Sequence, residues 1–322
     1  MIVKKTIMSV LALLTLTSFN DAQNYADSET KKFTPTKKIS KTILLLKDSE
    51  NADRKIILFQ TTLRVNTDGS PNSYHPQDPR GEKNAINTIC NAVAVRREGS
   101  DANLCKTEFS VAIKVFEQWR DNNWIVPKGY KITWNNVLPA TTKDGRCVPC
   151  VFKNGDYKGY FSSFTALTNG LPEGQHGECE IANQINPLQV PALVLVGGTN
   201  PVKDFGARVG DLVVAFNPAN SETAFAVIGD TGPTDNLGEG SVALNLKLRG
   251  ETKQPRNRAE TNRLNIEGQG VLIAIIPATS SYKKMPFTAE NIAERIKSWQ
   301  TEAGFSTPKE FVEMMKKFQP KL

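Results

Sequence analysis

The chain has 322 residues, of which 39% are hydrophobic, and carries a formal net charge of +7. That length and apolar content can bury a large core and exclude a disordered or fibrous protein. There is no P-loop and no strand-linked Gly-x-Gly-x-x-Gly, and the two histidines, His75 and His176, do not make a metal site, so no metal or organic cofactor is implied.

At the N-terminus, Lys4 and Lys5 precede the apolar run Ile7 to Leu16, with small Ala22 nearby. This is the pattern of a secretory signal peptide over residues 1–22, and the run is too short to span a bilayer. A secreted or periplasmic protein without an integral membrane segment is expected. Residues 23–55 are polar and Lys-rich and read as a flexible lead-in. The five cysteines are Cys90, Cys105, Cys147, Cys150 and Cys179; in an exported chain disulfides are their default use, and the pairing stays open.

Ile56 to Val65 reads as the first strand of a domain running to residue 278. Ala112 to Gln118 fits a short helix or a strand. Further short apolar runs broken by Gly, Pro and Asn make the body mainly β, a barrel or sandwich with peripheral loops. Gly210-Asp211 precedes the run Leu212 to Ala215, and Asp211 reads as a turn residue or a cleft residue.

Ala224 to Ile228 reads as a buried strand, Gly229 to Gly240 as a loop dense in turn residues, and Ser241 to Leu246 as an alternating strand. A strand, a tight connection and a second strand place Asp230 and Glu239 at one end of a sheet. Two carboxylates on rigid strand ends suit glycosidic cleavage, in which one protonates the leaving oxygen and the other activates water. The residues of the loop are also ordinary turn formers. Over residues 279–322, Thr288 caps a helix to about Thr301, and Thr307-Pro-Lys-Glu310 is a capping box for a helix over Phe311 to Phe318. Both helices are expected to pack on the β body.

Gly229-Asp-Thr followed by Gly238-Glu-Gly-Ser resembles the signature of glycoside hydrolase family 75, the chitosanases, whose usual form is Gly-Asp-Thr, an insertion, then Gly-Glu-Ala-Ser. Gly210-Asp211-Leu-Val-Val-Ala, Asn186-Pro-Leu-Gln-Val-Pro-Ala-Leu-Val-Leu, Gly159-Tyr-Phe-Ser-Ser-Phe and Asn66-Thr-Asp-Gly-Ser-Pro-Asn-Ser-Tyr-His-Pro are similar to other segments of that family and come in its order. Asn66 stands where an acidic residue is often seen. The resemblance implies a secreted endo-acting hydrolase that cuts the β-1,4 bonds of chitosan with inversion. Asp230 and Glu239 are then the catalytic pair, with Asp230 favoured as base and Glu239 as acid. Asp68, Tyr74, His75, Asp211, Thr231, Asp235 and Ser241 are the substrate-binding candidates. By analogy with inverting enzymes of similar layout, the specific expectation for the fold is a double-psi-type six-stranded barrel with C-terminal helices.

Chitosan is itself a polycation, so a basic protein needs a locally acidic cleft to hold it, which screening allows. The basic residues lie outside the motif region, in groups such as Lys37, Lys38 and Lys41, then Arg249, Lys253, Arg256 and Arg258, then Lys316, Lys317 and Lys321. They read as a solvated surface or as a means of adhesion to an anionic wall polymer or membrane surface. They lack the interleaved aromatics of a nucleic-acid site. Two alternatives share the sequence: hydrolysis of another amino-sugar polymer (peptidoglycan or partly acetylated chitin), and glycan binding without catalysis.

Overall fold

The computed structural model describes residues 33–40, 43–134, 137–138, 140–143, 146–168, 184–232 and 237–319. The expected signal peptide, His176, Cys179 and Asp235 lie outside the described residues.

In chain order the elements are β1 (Phe33–Ser40), β2 (Ile43–Asp48), β3 (Lys55–Asn66), β4 (Val93–Arg97), α1 (Leu104–Thr107), α2 (Phe109–Asp121), β5 (Tyr130–Trp134), β6 (Ala140–Lys143), β7 (Arg146–Pro149), β8 (Ala192–Leu195), α3 (Pro201–Asp204), β9 (Leu212–Asn217), β10 (Glu222–Thr231), β11 (Glu239–Ser241), α4 (Val242–Arg249), α5 (Arg258–Asn262), β12 (Ile266–Ile276), α6 (Ala289–Glu302) and α7 (Pro308–Lys317). The region left open around Ala112 to Gln118 is helical, within α2.

Six strands close a barrel in the order β3, β11, β8, β10, β9, β12, with β12 returning to β3. The pairs β11–β3 and β10–β8 are parallel, and the other four are antiparallel. The mainly β barrel read from the sequence is thus the fold. Its strands are apolar on both faces, as their unbroken apolar runs suggest. Residues from β3, β8, β9, β10 and β12, such as Phe59, Leu193, Ala215, Ala226 and Ile273, meet in one buried cluster that fills the barrel. The intervening residues, such as Leu58, Val214, Val227 and Ala274, join a second cluster with Ile296 and Trp299 of α6 and Phe311 and Met315 of α7. The two C-terminal helices therefore cover the outside of the barrel. Thr288 accepts from Asn291 N and Thr307 from Glu310 N at their N-termini, as their sequences require.

Two expectations are corrected. Residues 33–48 are not a flexible lead-in: β1 and β2 pair with each other, and β2 extends the sheet at β3 with Ile43 opposite Phe59. Leu46 is fully buried and Phe33 is 1% exposed, stacked on Phe305 at 5.6 Å and tilted against Trp299 at 6.3 Å. The run Ser241 to Leu246 is not a strand. Ser241 caps α4 by accepting from Leu244 N, and Gly250 ends the helix in the left-handed region. Because Val242 to Leu246 are all buried, polar and apolar positions do not separate into a helical stripe.

A smaller lobe over residues 67–168 carries β4, β5, α1 and α2 around Phe116, Trp119 and Phe161. A disulfide joins Cys90 to Cys105, and Cys150 is disulfide-bonded as well.

Truncating Phe33 to Ala should cost about 3–5 kcal/mol, the usual range for emptying a buried aromatic site, read from urea unfolding. A loss under about 1 kcal/mol would mean that β1 and β2 are only loosely attached.

Candidate active site

Strand β8 sits between the two strands that carry the motif acids. Asp230 on β10 and Glu239 on β11 are both register partners of Val194. Directly opposed residues project to the same face of a sheet, so the two carboxylates share a face with Val194 between them. Two strand spacings separate their backbones by roughly 10 Å. The alignment depends on a register shift between Ile228 and Asp230. Ile228 pairs with Leu193, which points into the barrel, and the extra residue Gly229 returns Asp230 to Val194's outward face. Gly229 is required there, because an added Cβ would lie 2.6 Å from Ile185 Cδ1 and 2.7 Å from Ala192 Cβ.

A third carboxylate joins them. Asp68 accepts from the Tyr74 hydroxyl and from Asn91 Nδ2 at 3.2 Å. Asn91 also donates to the Tyr74 oxygen at 3.0 Å, and Asn87 at 3.3 Å. The loop carrying Asp68 and Tyr74 is held by Asp78, which accepts from the backbone N–H groups of Glu82, Lys83, Asn84 and Ala85. Asn91 lies beside the Cys90–Cys105 bridge. Asp68 and Asp230 line one small notch with Asn66 and Val194.

Asn66 ties two of the acids together. Its Oδ1 accepts from Asp68 N at 2.8 Å, and its Nδ2 donates to Glu239 Oε2 at 3.2 Å. An amide supplies a donor and an acceptor at once, which a carboxylate cannot. Asn66 therefore faces Glu239 with a donor, where an acidic residue would add a fourth negative charge.

Burial dominates the electrostatics. Desolvation pushes the Asp230 carboxyl up to about 7, against hydrogen bonds from Thr231 N and Ala166 N, and the charges of Asp68 and Glu239 add to it. Asp68 is pushed up to about 6, first by burial and then by Glu239, with Tyr74 and Asn91 opposing. Among the described residues, no group of three His, Cys, Asp or Glu side chains is placed to hold a metal ion.

The other expected binding residues divide. Thr231 is exposed beside Asp230 at the cleft. Tyr74 is 1% exposed and reaches the cleft only through Asp68. His75 packs edge-on to the Tyr160 ring at 4.7 Å with Nδ1 accepting from Gln77 N. Asp211 is fully buried and accepts from Arg208 N, Thr279 N and Ser280 N, so it fastens the chain after β12 and cannot meet a ligand. Ser241 is likewise internal: its Oγ accepts from Ala192 N and donates to Val190 O.

The sequence reading missed Asn91 as a partner of Asp68, Asn66 as a bridge, and Arg64, the exposed register partner of Glu239 on β3. Asn66 and Arg64 sit two apart on a strand that ends at the cleft, which was the available signal. No family model matches the chain, and no curated protein matches it.

A carboxyl raised in the fold stabilises it fully below its unfolded value near 3.8 and loses that contribution as pH rises through about 7. Asp230→Asn keeps the acceptor for Ala166 N and removes the buried charge. Its stability relative to the parent should therefore rise between pH 4 and pH 8, by about 1–2 kcal/mol after allowance for partial exposure, in thermal melts across that range. A flat difference would show that Asp230 titrates normally.

Proposed function

We propose that the chain is an endo-acting glycoside hydrolase of an amino-sugar polymer, chitosan in the first place, working by inversion at the anomeric carbon. The observation that carries this is the shared register of Asp230 and Glu239 on either side of Val194. Their backbones are spaced for carboxyls roughly 6.5–9.5 Å apart, the interval that leaves room for a water beside the sugar. The resemblance to glycoside hydrolase family 75 points the same way.

The roles assigned here are the opposite of those favoured by the sequence, and the raised Asp230 carboxyl supports them. Asp230, raised to about 7 by its desolvated seat, is the proton donor in neutral and mildly acidic solution. Glu239, facing the Asn66 amide donor, is the base. In the reaction Glu239 takes a proton from water as its oxygen attacks C1. The C1–O bond breaks, and the Asp230 proton passes to the leaving oxygen. Asp68 adds negative charge to the same face, which favours a glucosaminium ring over a neutral one. Tyr74 and Asn91 donate to that carboxyl and oppose its desolvation, so it carries the charge above about pH 6.

Reducing-end release from highly deacetylated chitosan should fall by at least about 100-fold in Asp230→Asn and in Glu239→Gln, given the usual worth of a general acid or base. The first product should appear as the inverted anomer in proton spectra. The rate should fall as pH rises through about 7, as the Asp230 proton is lost. Release from peptidoglycan or acetylated chitin alone would move the substrate assignment. Tight binding without turnover, unchanged in both variants, would establish the non-catalytic reading.

A further inference from the structure

A second concavity lies at the other end of β10. Ser221, Thr223 and Phe225 at the start of that strand line a groove of about 1000 Å³. Thr223 stands seven residues before Asp230, so the groove is roughly 25 Å of strand from the carboxylates. Its floor includes Phe216, Leu246 and Val312, and its walls come from α4, α6 and α7. The volume is at the upper end of ligand-binding cavities.

The charges around it do not cancel. Lys247 of α4, Lys297 of α6 and Lys309 of α7 are exposed at the groove, and none forms an ion pair among the described residues. The two acids of the lining are already engaged: Glu251 with Arg249 at 2.7 Å and Glu313 with Lys316 at 2.9 Å. Lys316 also lies over the Phe216 ring at 4.8 Å. Three cations from three separate helices thus converge on one open trough. Scattered surface lysines would not share a concavity.

We propose that this groove binds an anionic polysaccharide and holds the protein on a polyanionic matrix while the acidic cleft stays free. Charge complementarity selects the anion. The lining selects the saccharide over an acyl chain, because Gln189, Ser221 and Thr223 offer hydrogen bonds that an acyl chain would leave unmade. Half-buried Phe225 adds an apolar face of the kind sugar rings cover. The inference does not rest on the proposed hydrolysis, since no residue of the cleft takes part.

The test is calorimetric titration of the full chain with polygalacturonate, with phosphorylated dextran, and with neutral dextran, at moderate salt. Saturable binding is expected for a polyanion and not for dextran, and the two polyanions separate uronate from phosphate as the anion. The triple variant Lys247→Glu/Lys297→Glu/Lys309→Glu should bind roughly tenfold or more weakly. A control with the same charge change on the small lobe, Lys106→Glu/Lys114→Glu/Lys131→Glu, should keep its affinity within about twofold. Equal loss in the control would reduce the effect to net charge and overturn the proposal, as would equal binding of dextran or no binding of either polyanion by the parent.

Discussion

Strand β8 has only four residues, and both acid-bearing strands hydrogen-bond to it. Val194 is the single position that fixes how far apart Asp230 and Glu239 stand. Neither neighbour can slide without breaking a ladder buried on both sides, because a one-residue slip turns every side chain of a strand to the other face. The spacing is thus a property of the closed barrel rather than of the loop joining the two acids.

The same burial that makes the barrel stable sets the chemistry. Asp230 leaves an apolar strand at the point where water first reaches it, so desolvation outweighs the two backbone donors. Asp68 enters from the smaller lobe, on a loop whose backbone donors converge on Asp78. The carboxylate cluster is therefore assembled from both halves of the molecule. Barrel strands provide the pair and the lobe provides the third charge, with Asn66 bonded to one member of each set.

Much of this could be read in the sequence. Ala224 to Ile228 is too apolar for an exposed strand, and the turn residues after it put Asp230 near the strand's end, although β10 runs on to Thr231 and β11 already begins at Glu239. The caps of α6 and α7 are local signals and appear where the sequence puts them. What failed depended on tertiary context. The apolar stretch Ile43 to Leu46 is flanked by lysines, and its pairing with β1 and β3 makes it a strand. Asp211 has the sequence surroundings of a cleft acid, yet three backbone donors in the fold claim it. Ser241 next to Glu239 looks like part of the motif's chemistry, whereas its hydroxyl caps a helix. A residue's type shows that it can bind, and the backbone around it decides what it binds.

The Cys90–Cys105 bridge closes a span of 15 residues, and Asn91 adjoins its first cysteine. Closing a loop of that size removes about 3 kcal/mol of chain entropy from the unfolded state in the simple polymer account. In a reducing compartment that restraint is lost, and the turn that presents Asn91 to Asp68 is secured by weaker forces alone. The redox state of the surroundings thereby reaches the acidic cleft through one amide, so the protein's full electrostatic character belongs to the oxidised chain.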